Sequence, residues 1–117
     1  MLCNHTGYQK IVIITGYSDM RKGINGLAEL IKYNYNMDPF ELGTLYLFCG
    51  RSAGRIKGLQ WESDGFAMVT KRLESGRYQW PRSKNEAINL TQEQCDWLMK
   101  GLSIVPSIRE INRKLTI

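Results

Sequence analysis

Two apolar runs without alternation, Lys10 to Thr15 (KIVIIT) and Thr44 to Cys49 (TLYLFC), constrain this chain more than any other feature. A strand with one wet face alternates apolar and polar residues, so an unbroken β-branched or aromatic run predicts a strand covered on both sides. Between the runs, Ile24, Leu27, Ala28, Ile31 and Tyr35 recur at helical spacing and predict one amphipathic helix. Gly16-Tyr-Ser-Asp19 supplies the turn into it, with Ser18 or Asp19 able to cap, and Asp38-Pro39 closes it, because a pre-proline residue avoids the α region. Whether the two strands pair parallel or antiparallel is open at this stage.

The middle of the chain reads as a meander. Arg55–Glu62, Phe66–Leu73 and Arg77–Trp80 are expected strands, joined by the turn residues Ser63-Asp64-Gly65 and Glu74-Ser75-Gly76. Thr91-x-x-Gln94 then opens a helix as a capping box, with Cys95, Leu98, Met99 and Leu102 as its apolar stripe. The chain order β-α-β-β-β-β-α predicts an α+β fold: a mainly antiparallel sheet of about five strands with helices packed on one side. At 117 residues, one domain over 1–117 is expected, its core at about 7–105 and residues 106–117 a tail or short helix.

Charge enters once it is located. The net charge of +5 resides in residues 51–84, where Arg51, Arg55, Lys57, Lys71, Arg72, Arg77, Arg82 and Lys84 oppose Glu62, Asp64 and Glu74; residues 1–50 and 85–117 each hold four cations and four anions. A local basic excess points to a polyanionic partner, nucleic acid first. If Asp64-Gly65 is a two-residue turn, paired positions sum to 129, and a turn at Ser75-Gly76 makes the next pairs sum to 151. Alternation then places Arg55, Lys57, Leu59, Trp61, Met68, Thr70, Arg72, Arg77 and Gln79 on one face, and Ile56, Gly58, Ala67, Val69, Leu73, Tyr78 and Trp80 on a core face. The first face could meet phosphates with its cations and stack a base on Trp61, or Trp61 could tuck under a loop beside solvated cations. Arg21, Lys22 and Gly23, ahead of the first helix, are a second candidate phosphate site, unless Asp19 neutralises them. Trp97 lies off its helix's stripe and either packs on a second layer or meets a partner protein.

Other chemistries find no residues. Cys3, Cys49 and Cys95 form no C-x-x-C pair, and His5 is the single histidine, so no metal site or cofactor is expected. No carboxylate is followed two residues later by Lys, which removes the E-x-K element of a common nuclease arrangement, and Gly50-Arg-Ser-Ala-Gly54 lacks a P-loop's Lys-Ser/Thr ending. No enzyme is expected. The amino-terminal residues lack a signal-peptide pattern and no run reaches membrane length, so no membrane partner is expected; with unpaired cysteines this predicts a reducing, cytoplasmic location.

Several blocks together carry a resemblance: Gly16-Tyr-Ser-Asp-Met-Arg-Lys-Gly-Ile-Asn-Gly-Leu27, Leu47-Phe-Cys-Gly-Arg51, Arg55-Ile-Lys-Gly-Leu59 with Trp61 and Asp64-Gly-Phe66, Lys71-Arg-Leu-Glu-Ser-Gly-Arg77, Gln79-Trp-Pro81 and Trp97-Leu-Met-x-Gly-Leu102. From about Gly7 to Leu102 the chain resembles the TnpB accessory proteins of the insertion sequence 66 family, which are distinct from the RNA-guided nucleases that share that name. The resemblance implies a non-catalytic role in transposition, with the ends of the element's DNA, a separate transposase and a second accessory protein as partners. The chain departs from the family pattern at Ser52-Ala53-Gly54, where relatives tend to carry a further Arg and an Asp. That leaves Arg51, Arg55 and Lys57 as the better phosphate contacts of this stretch. DNA binding through the basic face is the leading expectation; the alternative is an adaptor that holds the transposase without touching DNA.

Overall fold

The computed structural model describes residues 8–107. Five strands form one sheet: β1 (Lys10–Ile14), β2 (Thr44–Cys49), β3 (Arg55–Trp61), β4 (Phe66–Arg72) and β5 (Ala87–Leu90), in the order β4-β3-β2-β1-β5. Helix α1 (Ile24–Glu29) passes into a π-helical segment, Leu30–Asn34, and α2 (Gln92–Met99) follows β5. The α+β class, the number of strands and the chain order agree with the sequence expectation.

β1 and β2 pair in parallel, from Lys10↔Thr44 to Ile14↔Phe48, and every other pairing is antiparallel. The parallel pairing follows from the connection, since parallel neighbours need a crossover and the helical segment provides it. Both strands are central, and β2 is buried at all six positions, which is why neither run alternates.

Two central strands apolar on both sides require two covers. Leu27 and Ile31 from the first helical segment pack with Val12, Ile14, Tyr46, Phe48 and Leu59 on one face. Cys95, Leu98 and Met99 of α2, with Tyr78, Trp80 and Ile104, cover Ile11, Ile13, Leu45, Leu47 and Ile56 on the other. The helices therefore lie on opposite faces, not on one side as expected.

Three further expectations change. The β3–β4 connection is a four-residue loop, Glu62 to Gly65, with Ser63 at φ 69° and the Glu62 N–H donating to the Gly65 carbonyl at 2.8 Å. Paired residues therefore sum to 127: Trp61 faces Phe66, Lys57 faces Thr70, and Arg55 faces Arg72. A slip of two preserves side-chain parity, so each residue keeps its assigned face while its partner changes. Arg77–Trp80 is not a strand. The segment is tied down by Leu73 N–H to the Gly54 carbonyl (2.8 Å), Tyr78 N–H to the Ala53 carbonyl (2.7 Å), and Trp80 Nε1 to the Ile14 carbonyl (2.9 Å). The fifth strand is Ala87–Leu90, which pairs with β1.

At α2 the capping box is present in both directions, Gln94 N–H to Thr91 Oγ1 and Thr91 N–H to Gln94 Oε1, each at 3.0 Å. The helix ends before Leu102, which is exposed, because Gly101 takes φ +82°. Cys95 is buried as expected. No helix among the described residues is long and apolar enough to cross a membrane. His5, Cys3 and the expected tail beyond residue 107 lie outside the described residues.

Candidate nucleic-acid interface

The topology gathers the basic segments at one end of the sheet. Parallel β1 and β2 finish there, antiparallel β3 begins there, and β4 ends there. Consequently the loops after Ile14, after Cys49 and after Arg72 are neighbours, although they are far apart in the chain. The opposite end receives the acidic loops, with Asp38 and Glu41 before β2 and Glu62 and Asp64 between β3 and β4.

At the basic end, Arg51, Arg55, Arg72 and Arg77 line one cleft of about 590 Å³, with Met20 in its wall and Glu74 as its single carboxylate residue. All four arginines are exposed. Arg72 approaches Glu74 at 4.0 Å, while Arg51, Arg55 and Arg77 form no ion pair with a described residue. A second recess of about 500 Å³ adjoins it, sharing Met20, Gly50 and Arg51 and adding Tyr17, Ser18, Asp19 and Arg21. The structure thus joins four of the six expected DNA-contact residues, through converging loops rather than along an open sheet face.

The other two stand apart. Lys57 is half-buried on the α1 side, where its Nζ donates to the Lys22 carbonyl at 2.9 Å. Trp61 lies at the far end of β3, six residues from Arg55, or about 20 Å at the rise of a strand. There it packs edge-on against Phe40 and Phe66, with ring centroids 5.0 and 4.9 Å away. The face assigned to phosphates is occupied instead by the first helix over Leu59, with Phe66 and Met68 partly buried beside it.

Around the second candidate site, Arg21 is committed to Asp19: its Nε and Nη2 donate to the carboxylate at 3.0 and 3.1 Å, and its N–H adds a third bond of 3.0 Å. Those bonds hold the Asp19 pKa down at about 2. The neutralisation the sequence allowed is therefore present, and Gly23, the N-cap of α1, offers the helix no side-chain cap. Trp97 is half-buried and packs against the core beneath α2.

Sequence reasoning passed over Arg82 and Tyr17. The Arg82 guanidinium donates to the Gly16 and Gly50 carbonyls, both at 2.5 Å, and to Cys49 Sγ at 3.6 Å. Its plane also covers the Tyr17 ring, 4.3 Å from the centroid. One side chain thus joins the loops that follow β1 and β2. Ser18 N–H to the Cys49 carbonyl at 2.9 Å closes them further. These links span 31 to 66 residues of chain, so only an aromatic in a strand-to-helix turn, Tyr17, was visible as a local signal. Burial raises the Cys49 thiol pKa against the opposing pull of Arg82, which makes it a packing group. No cluster of three metal-ligating side chains occurs among the described residues.

A family model described as IS66 Orf2 like protein matches residues 9–108. Two relatives from Sinorhizobium fredii, the uncharacterized proteins y4hO and y4jC, are 33% and 31% identical over 93 residues. The matches cover 80% of this chain and 80% and 79% of theirs. No solved structure matches the chain significantly.

Proposed function

The chain belongs to the IS66 Orf2-like family, whose place is accessory to insertion-sequence transposition, and from that premise we propose that it binds DNA without catalysis through the arginine cleft. The carrying observation is the convergence of Arg51, Arg55, Arg72 and Arg77 on one cleft at the carboxyl ends of the two parallel strands. Loops there are the customary ligand-binding part of such sheets, and guanidinium groups suit phosphate oxygens in charge and geometry. Working in the cytoplasm beside the transposase and the second accessory protein, the chain would deliver or hold the element's ends.

A salt-titrated binding assay on element-end and random DNA, with and without transposase, tests this. A duplex engaging all four arginines gives a slope of about −3.6 in log K against log salt, about a 150-fold loss between 50 and 200 mM. Replacing the four together with glutamine removes binding and slope. No binding at low salt in any DNA form, or indifference to the fourfold change, would sink the proposal.

The adaptor reading keeps one specific support, an apolar patch at the acidic end where Tyr33 is 71% and Phe40 51% exposed. It expects co-purification with transposase after nuclease treatment, lost on Phe40→Ala or on the sequence-based alternative Trp97→Ala.

A further inference from the structure

We propose that the arginine cleft takes a single-stranded DNA segment, with phosphates among the arginines and a base stacked on Tyr17. This rests on the DNA-binding reading and names the form of DNA.

The shape of the site favours a strand over a duplex. Proteins that read a duplex insert a helix or ribbon into a groove about 12 Å wide, with the phosphates lying on a convex surface. Here the arginines surround a recess between loops. A cleft of about 590 Å³ is of the size that encloses small ligands, and it continues into the recess of about 500 Å³ that Tyr17 lines. A phosphate in the first and its base over the second would share the wall of Met20, Gly50 and Arg51.

Tyr17 has the features of a stacking platform. It is 56% exposed, and one face of its ring is held by Arg82. Arg82 is in turn fixed by the carbonyls of two glycines, so the ring is pinned where it lines the recess beside Arg51. Single-strand binding proteins combine a cationic track with aromatics of this kind, and stacking tolerates any base because every base has a π face.

The shared wall is tightly packed at Gly50, where an added Cβ would run into Met20 Cγ, so the Met20 side chain occupies the space a larger residue would take.

The test uses the full chain and fluorescence anisotropy at 50 mM salt. The probes are a labelled mixed-sequence 12-nucleotide strand, the same sequence as a duplex, and an abasic strand of equal length, with inorganic phosphate as competitor. The single strand is expected to bind at least tenfold tighter than the duplex. Four single-strand phosphate contacts give a slope of about −2.8, or about a 50-fold loss between 50 and 200 mM salt. Tyr17→Ala weakens the intact strand by about tenfold and leaves the abasic strand unchanged, since stacking is lost only where there is a base. Tyr33→Ala, an exposed ring at the far end of the molecule, leaves both unchanged. Millimolar phosphate competes weakly.

Equal or tighter duplex binding, or a Tyr17→Ala loss shared by the abasic strand, overturns the single-strand inference and leaves DNA binding through the arginines standing. Absence of binding to every probe overturns both.

Discussion

Arg82 allows the packing argument to be tested apart from any ligand. Its guanidinium satisfies the carbonyls of Gly16 and Gly50, both buried residues, and carries the Tyr17 ring. A hydrogen bond from a charged donor contributes about 1.5–3 kcal/mol, and an exposed cation–π contact about 0.5–1. Arg82 is half-buried and the bonds share one side chain, so water reaching the vacated site offsets part of their sum. Arg82→Ala is expected to cost about 3 kcal/mol. Arg82→Lys, which reaches one carbonyl but has no fork, costs about half of that, ~1.5 kcal/mol. With an unfolding entropy of ~2.1 cal/mol/K per residue, the two losses lower Tm by about 12 and 6 °C. Urea unfolding followed by tryptophan fluorescence measures both, with m unchanged. Since a domain of this size is stable by roughly 6–18 kcal/mol, the alanine variant stays folded at 25 °C. A loss under about 1 kcal/mol for Arg82→Ala, or full stability in Arg82→Lys, would refute the reasoning that the guanidinium fork joins the loops.

The remaining predictions concern single groups. Asp19 has a depressed folded pKa, so its contribution is present above the ordinary value of 3.8 and is lost as pH falls towards about 2; carbon-detected NMR should place its midpoint near 2, moving up in Arg21→Ala, and an ordinary midpoint in the parent would dismiss the pairing. The Tyr78 hydroxyl is buried with no hydrogen-bond partner among the described residues, so Tyr78→Phe should leave stability unchanged or raise it by up to about 1 kcal/mol; a clear loss in denaturant melts would reveal a bond that the structure does not contain. Gly16 sits at φ +77° with the Asn85 side chain where a Cβ would go, whereas Gly43, at φ +78°, meets only the flexible Gln9 side chain at 3.3 Å. Gly16→Ala should therefore cost more than about 2 kcal/mol and Gly43→Ala about 1, and equal losses would show that backbone conformation alone sets the effect.

What the sequence made legible was local. Unbroken burial of KIVIIT and TLYLFC is a property of each run, and so is the capping box at Thr91 and Gln94. Side-chain parity in β3 and β4 was also readable, because it depends on alternation alone. Register was not, since Ser63 adopts φ 69° and lengthens a loop that Asp64-Gly65 could have closed in two residues. The expectation of one helical layer failed because nothing in a doubly apolar strand says which helix covers which face. Arg77–Trp80 alternates like a strand, yet its residues serve as anchors, with the Trp80 indole bound to the end of β1. Ala87–Leu90 has only four residues and follows a polar stretch, so pairing with β1 alone identifies it. For the candidate site, the middle third of the chain contained the four arginines that line the cleft, but a flat face was inferred where the structure has a cleft between loops. The residue that ties the loops after β1 and β2 together, Arg82, contributed nothing locally except charge.

Topology, more than composition, makes the charge useful. Were β1 and β2 antiparallel, the loops carrying Tyr17 and Arg51 would lie at opposite ends of the sheet. Parallel pairing brings them together and leaves Asp38, Glu41, Glu62 and Asp64 at the far end. A molecule basic at one end and acidic at the other is oriented by a polyanion before contact, so that the cleft leads. The exposed Tyr33 and Phe40 lie away from the proposed DNA cleft, Phe40 against Trp61 at the end of β3 about 20 Å from Arg55. If the proposed DNA cleft and the apolar patch both act, they compete for no surface, and one molecule could perform both roles at once. Simultaneity is the discriminating consequence: transposase should form a ternary complex with DNA-bound protein, and Phe40→Ala should abolish it while leaving DNA affinity intact. Mutual exclusion of DNA and transposase would mean that the two ends of the sheet do not divide the work in this way.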